Sequence, residues 1–160
     1  MLTQSKCYVK TTESDRTSNV LGALNAISHE LVTISNHTYI NAGSVCELLE
    51  KLHQLYRDLP IVLVMDNARY QKCQLVLEKA QSLNIQIIFL PPYSPNLNLI
   101  ERLWKFVKKE VLYNEYYQEY NKFCTAISDC LDQTHTIHKA ALETLLTLKF
   151  QTFENVTFNP

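Results

Sequence analysis

The spacing of apolar and polar positions changes several times along this chain, and each change marks an element. Residues 1 to 18 are polar and show no clear period. Asn19 to Ile27 and Leu31 to Ile40 are predicted strands, joined as a hairpin through Ser28, His29 and Glu30. Between Ser44 and Tyr56, Val45, Leu48, Leu49, Leu52 and Leu55 recur at helical spacing, with Ser44 as the predicted N-cap. Pro60 ends that segment. Ile61 to Met65 is an unbroken apolar run, which predicts a strand covered on both faces.

Gln71 to Leu83 then reads as a helix, with Leu75, Val76, Leu77, Ala80 and Leu83 predicted to turn inward. Ile85 to Leu90 is a second apolar strand, stopped by Pro91 and Pro92. Strand, helix and strand in this order predict a βαβ unit with parallel strands and a right-handed crossover. A third helix is predicted from about Asn96 to Tyr113, with Leu97, Ile100, Trp104, Val107 and Val111 as its apolar stripe. Helical stretches near Asn121 to Gln133 and Ile137 to Phe150 form a tail over about residues 114 to 150. No linker, internal repeat or low-complexity tract interrupts residues 1 to 160, so one α/β domain is expected.

Composition narrows the function classes. A chain of 160 residues suits one domain that buries roughly 70% of its unfolded surface. The net charge of -1 supplies no global positive field, so any nucleic-acid contact must come from a local patch. Two glycines cannot build a glycine-rich phosphate cradle, which excludes Walker-type and dinucleotide fingerprints. The five cysteines are odd in number and widely spaced, and no secretory signal or membrane-length apolar run occurs. Reduced thiols in a cytoplasmic protein without a membrane partner are therefore expected. Cys124, Cys130, His135 and His138 include a short His-x-x-His, but the Cys-x-x-Cys knuckle that structural zinc favours is missing.

Candidate chemistry rests on two carboxylates. Asp66 directly follows the first parallel strand, and Glu101 lies on the first turns of the third helix, with 34 residues between them at positions 67 to 100. In an open sheet, ligands gather beyond the carboxyl ends of parallel strands, so both acids are expected at one sheet edge. Paired carboxylate oxygens suit Mg2+ or Mn2+, and such ions drive phosphodiester chemistry. Competing readings stand beside this one. Asn98-x-x-Glu101 has the spacing of a helix N-cap arrangement, Glu101 and Lys105 are an ordinary i,i+4 ion pair, and Asp66 suits a turn after a strand. Arg102, Lys105, Lys108 and Lys109 form a basic helix face beside Glu101 that would hold DNA phosphates, or simply a solvated exterior. Arg69 and Tyr70, just past Asp66, carry the same ambiguity, as do Tyr113, Tyr116, Tyr117 and Tyr120 as stacking or packing residues.

Two blocks carry a family resemblance. Asp66-Asn67-Ala68-Arg69-Tyr70-Gln71-Lys72-Cys73 and the proline-rich run from Leu90 to Lys105, with Glu101-Arg102-Leu103-Trp104 near its end, resemble the catalytic core of bacterial insertion-sequence transposases related to the Tc and mariner elements. Asn19 to Asn25 resembles that family's second core strand, and the likeness runs from about Lys6 to Phe153. It implies an RNase H-like fold, a mixed sheet with flanking helices, and a DDE active site using two divalent ions. The implied reactions are strand cleavage by water and attack of the freed 3′-hydroxyl on target DNA. Asp66 matches the second acid of the triad and Glu101 the third, both as catalytic residues and metal ligands. Asn67 and Asn98 match neighbours that orient the acids or the helix start.

The family's first acid lies on a strand ahead of Asn19 to Ile27, and Met1 falls in the connection after it. The expectation is therefore a sheet lacking its first central strand, with unpaired backbone groups and an exposed apolar face. Asp15 is the only upstream Asp, in a polar run with no predicted strand. The family's helix-turn-helix module has no counterpart either. The implied partners are DNA, as element ends and target, and an upstream transposase fragment or a full-length transposase. On this reading the chain alone has little strand-transfer activity. The alternative is a catalytically dead remnant or an inhibitory partner that binds DNA or transposase.

Overall fold

A hairpin and a βαβ unit share one sheet in the computed structural model, which describes residues 2–10, 15–36, 39–92, 97–113 and 116–149. The elements are β1 (Leu2–Lys10), β2 (Asp15–Leu24), β3 (Leu31–Asn36), α1 (Ala42–Leu55), β4 (Ile61–Met65), α2 (Gln74–Ser82), β5 (Ile85–Phe89), α3 (Leu99–Leu112), α4 (Tyr120–Asp132) and α5 (Lys139–Leu145). A single 3-10 turn, Gln133–His135, joins α4 to α5. The sheet order is β3-β2-β1-β4-β5. β1 and β3 both run antiparallel to β2, while β1, β4 and β5 are parallel. Positions 37 and 38 of the second predicted strand, the middle of the proline block with the start of the third helix, and the last residue of the final helix lie outside the described residues, while Tyr39 and Ile40 are described and lie outside any strand.

The hydrophobic pattern of β2 divides the interior. Successive strand side chains alternate between faces. Leu21 and Ala23 join Leu63, Met65 and Ile85 under α1 and α2. Val20 and Leu24 face the other way and pack with Leu99, Ile100, Leu103, Trp104 and Val107 of α3, Phe123 and Ile127 of α4, and Leu142 of α5. The second core closes around Gly22. A Cβ at that position would lie 2.7 Å from Trp104 Cζ2 and 3.2 Å from Ile100 Cδ1, so α3 approaches β2 as closely as a missing side chain permits.

Several expectations are corrected by long-range packing. The polar N-terminal segment forms β1, which pairs with β2 from Leu2↔Ala23 to Lys10↔Asp15, and Asp15 opens β2 rather than lying in a strandless run. A strand thus stands in the central lane that was expected to be empty. Among the described residues it meets β4 at Leu2↔Met65. β4 is not covered on both faces, since α3 lies over β1 and β2 and leaves Val62 52% exposed. In α2 only Val76 and Ala80, one turn apart, are buried; Leu75 and Leu77 flank that narrow stripe and are 54% and 42% exposed. Asn41, not Ser44, caps α1. The Ser44 N–H donates to Asn41 Oδ1 at 3.1 Å, and Ser44 Oγ accepts from the Asn41 N–H at 3.5 Å, a reciprocal box that starts the helix earlier.

At the far end of the sheet, Tyr56 beyond α1 donates its hydroxyl to Glu30 Oε2 at 2.5 Å. Burial and this bond push the Tyr56 hydroxyl from its ordinary 10.0 up to about 12. An acid whose pKa rises on folding stabilises the fold fully below its ordinary pKa, and that contribution is lost as pH climbs through the folded value. In urea unfolding, the advantage of the parent chain over Tyr56→Phe is therefore expected to hold at pH 8, to shrink above pH 10 and to vanish near 12. Gly22→Ala is expected to lower stability by about 1–3 kcal/mol, because the added methyl overpacks against the Trp104 ring. Thermal unfolding checks this, and an unchanged midpoint would show that α3 yields at no cost.

Candidate active site

The parallel strands β4 and β5 deliver their carboxyl ends to one edge of the sheet, and a short hydrogen-bond set ties these ends together. The Leu90 N–H donates to the Met65 carbonyl at 2.9 Å, extending the ladder past β5. Asn67 Nδ2 donates back to the Leu90 carbonyl at 3.0 Å. The chain then turns after Asp66, with the Gln71 and Lys72 N–H groups donating to the Ala68 carbonyl at 3.0 and 3.1 Å. Asp66 sits half-buried at the mouth of this turn.

Asn98 links Asp66 to α3. Its side chain is fully buried, and Nδ2 donates to Asp66 Oδ1 at 2.8 Å. Asn98 stands at the N-cap position of α3, yet its side chain makes no cap bond to the helix. The capping reading of Asn98-x-x-Glu101 is thereby replaced by a bond across the site. The Glu101 N–H in turn donates to the Asn98 carbonyl at 3.1 Å. Asp66, Asn98 and Glu101 are thus joined in series, and Glu101 is half-buried on the first turn of α3. A primary amide that spans the gap fixes the carboxylate's rotation and the height of the helix start together.

Tyr70 and Gln71 back this arrangement. Gln71 is 1% exposed, and its Nε2 donates to the Tyr70 hydroxyl at 3.4 Å. Burial raises the Tyr70 pKa; the Gln71 bond offsets part of this and the Asp66 charge adds to it. A phenol held neutral next to Asp66 is a feature that the sequence left ambiguous with DNA contact, and Gln71 carried no local signal beyond its place in the motif. Asp66 and Glu101 both offer hard carboxylate oxygen, the donor type that Mg2+ and Mn2+ take, so the donor chemistry present fits such an ion. Among the described residues, no group of three or more His, Cys, Asp or Glu side chains is placed to hold a metal.

The expected basic face divides. Lys105 and Lys109 are exposed one turn apart and Lys108 is half-buried, while Arg69 is exposed on the turn past Asp66. Arg102 turns towards the C-terminal segment. Its guanidinium donates to the carbonyls of Leu145 at 3.3 Å, Thr147 at 2.8 Å and Lys149 at 3.1 Å. Tyr113 and Tyr116 are exposed, whereas Tyr117 packs edge-on against Phe123 with ring centroids 5.7 Å apart. The Cys130 thiol is buried in the second core, and burial, helped by the Glu110 charge, pushes its pKa up to about 11. That favours an inert thiol over the thiolate that zinc requires. His138 packs its ring edge-on to Phe106 at 5.1 Å.

Comparison with known proteins follows the same geometry. The chain is similar to the Mos1 transposase catalytic domain bound to raltegravir with Mg, with a TM-score of 0.60 and 16% identity over 96% of this chain and 85% of that one. It is similar to the HTLV-2 integrase catalytic core in complex with magnesium, with a TM-score of 0.54 and 14% identity over 84% of each. The simian T-cell lymphotropic virus intasome, in complex with PP2A regulatory subunit B56 gamma, matches at a TM-score of 0.60 and 14% identity, over 98% of this chain and 59% of that one. At such identities these likenesses establish the fold, which is RNase H-like. A segment of 63 residues is 35% identical to the uncharacterized protein y4pE/y4sA of Sinorhizobium fredii (strain NBRC 101917 / NGR234), covering 37% of this chain and 47% of that protein. No described helix is long and apolar enough to cross a membrane. The family model for the DDE superfamily endonuclease matches residues 3–124, and the chain belongs to that family.

Proposed function

We propose that the chain is the catalytic portion of an insertion-sequence DNA transposase, with Asp66 and Glu101 as the acids that hold Mg2+ or Mn2+ and act in phosphodiester cleavage and strand transfer. The observation that carries this reading is the 2.8 Å bond from Asn98 Nδ2 to Asp66 Oδ1. It spends a fully buried amide on joining the end of β4 to the start of α3, the two places where the acids stand. A divalent ion there would polarise the phosphodiester and lower the pKa of an attacking water. This chain's own residues do the positioning. Asn98 orients the Asp66 carboxylate, Asn67 holds the β4 end to Leu90, and the buried Gln71 holds the Tyr70 hydroxyl. Arg69, Lys105, Lys108 and Lys109 contact DNA phosphates near the acids, as groups that position rather than read sequence.

To hold two ions, the site would need a further carboxylate beside Asp66 and Glu101. On our reading a second polypeptide, a transposase fragment or full-length transposase, supplies it. The absence of a third acid near Asp66 and Glu101 among the described residues also favours a second reading, in which the chain is a catalytically dead remnant that binds DNA or transposase.

Three measurements test this. Asp66→Asn and Glu101→Gln should each weaken Mn2+ binding at least tenfold in a titration followed by electron paramagnetic resonance; unchanged binding by either variant removes that acid from the site. Asn98→Ala should weaken Mn2+ binding by about 10–100-fold, the usual range for a residue that orients a ligand, while costing about 1–3 kcal/mol of stability for the buried bond. The purified 160-residue chain should nick supercoiled DNA little or not at all with Mg2+. Robust cleavage by the chain alone would contradict the incomplete site.

A further inference from the structure

Arg102 directly follows Glu101, and its guanidinium turns to the segment that leaves α5. Nη1 donates to the Leu145 carbonyl at 3.3 Å and to the Thr147 carbonyl at 2.8 Å, and Nη2 donates to the Lys149 carbonyl at 3.1 Å. The acceptors belong to alternate residues, so they form a row along the chain. Leu145 ends α5, and its carbonyl is one of those that the helix itself leaves without an N–H. A cation placed there also meets the negative end of the helix dipole.

The segment that Arg102 grips is itself fixed to the second core. The Leu146 side chain is buried in the cluster that α3 builds, and its carbonyl accepts from His29 Nε2 at 3.1 Å. The Leu146 N–H donates to the Leu142 carbonyl at 2.7 Å. On the other side of Glu101, Asn98, Leu99 and Ile100 are fully buried, and Asn98 reaches Asp66. Glu101 therefore stands in the chain between two anchors. The Asn98 amide ties the helix start to β4, and the Arg102 guanidinium ties the same turn to the tail.

We propose that Arg102 is a positioning residue for Glu101, acting through the backbone of residues 145 to 149. The family match ends at position 124, so this support lies outside the matched stretch. A guanidinium carries its donors on separate nitrogens in one rigid plane, and so serves a row of carbonyls at once. A lysine ammonium is one nitrogen on a flexible stem and does not hold the same row. A DNA phosphate would have to break these bonds to recruit Arg102, whereas Lys105 and Lys109 are exposed on the same helix. The proposal rests on the reading that Glu101 holds the metal, and it adds how the backbone of that acid is kept in place.

Arg102→Lys keeps the charge and loses the fork. By mass spectrometry, amide hydrogen exchange over residues 146 to 149 should rise about tenfold or more. Mn2+ binding, followed by electron paramagnetic resonance, should weaken about tenfold, as for other groups that orient a ligand. Arg102→Gln should do the same, and should leave the slope of log K against log salt for a DNA duplex at the parent value. Loss of a phosphate contact would instead lower that slope by about 0.9. Ala80→Gly loosens α2 in the other core and should leave Mn2+ binding unchanged. Amide exchange needs neither metal nor DNA, so it reports on the tie separately from the catalytic reading. A parent chain that takes up no Mn2+ would sink that reading and the positioning role with it, while a faster exchange in Arg102→Lys would still establish the tie. Unchanged exchange or Mn2+ binding in Arg102→Lys, an equal loss of Mn2+ binding in Ala80→Gly, or a lower salt slope in Arg102→Gln would overturn the proposal.

Discussion

The close approach of α3 to β2 at Gly22 is the constraint on which the site depends. With no side chain at Gly22, the Trp104 ring and Ile100 rest directly on the strand, and the second core closes around them. That contact sets the height of α3 above the sheet. The start of the helix then falls where Asn98 reaches Asp66 and where Glu101 stands one turn inside. A helix held farther from the sheet would strand the Asn98 amide, buried and unable to reach its carboxylate, so packing and polar bonding enforce the same position.

Arg102 adds a second tie from the same turn. Its guanidinium collects three carbonyls from residues 145 to 149, and His29 Nε2 lies 3.1 Å from the Leu146 carbonyl. The end of α5 is thereby gathered against the first turn of α3 and the β2–β3 turn. The helical tail supports α3 from the outside, and a residue that reads as a phosphate contact in the motif is engaged by the protein's own backbone. Lys105 and Lys109 remain directed to solvent on the same helix.

The parts of the fold and site that were legible in the residues are those built by local periodicity. β4 announces itself through an unbroken apolar run, β5 through an apolar run broken only by Gln86, and α3 through a 3.6-residue stripe, because each buries a face defined within its own segment. Asp66, Asn67, Asn98 and Glu101, which the motif singled out, stand at the end of β4 and the start of α3. β1 was illegible, because its pairing with β2 depends on a partner strand rather than on any period of its own, and strand preference yields readily to such context. The exposure of Leu75 and Leu77 was hidden for a related reason. A short helix with several apolar residues does not reveal which narrow stripe the sheet will accept.

The sequence by itself determined the order of elements from β4 onward, the type of chemistry two carboxylates offer, and the absence of any glycine-built phosphate cradle. These follow from spacing along the chain and from residue type, which are local properties. Only the tertiary structure decided that a polar segment enters the central lane and that Asn98 serves Asp66 instead of its own helix. Each of those outcomes joins residues far apart in the chain. Such pairings are selected by the geometry of packed elements, which no single segment encodes alone.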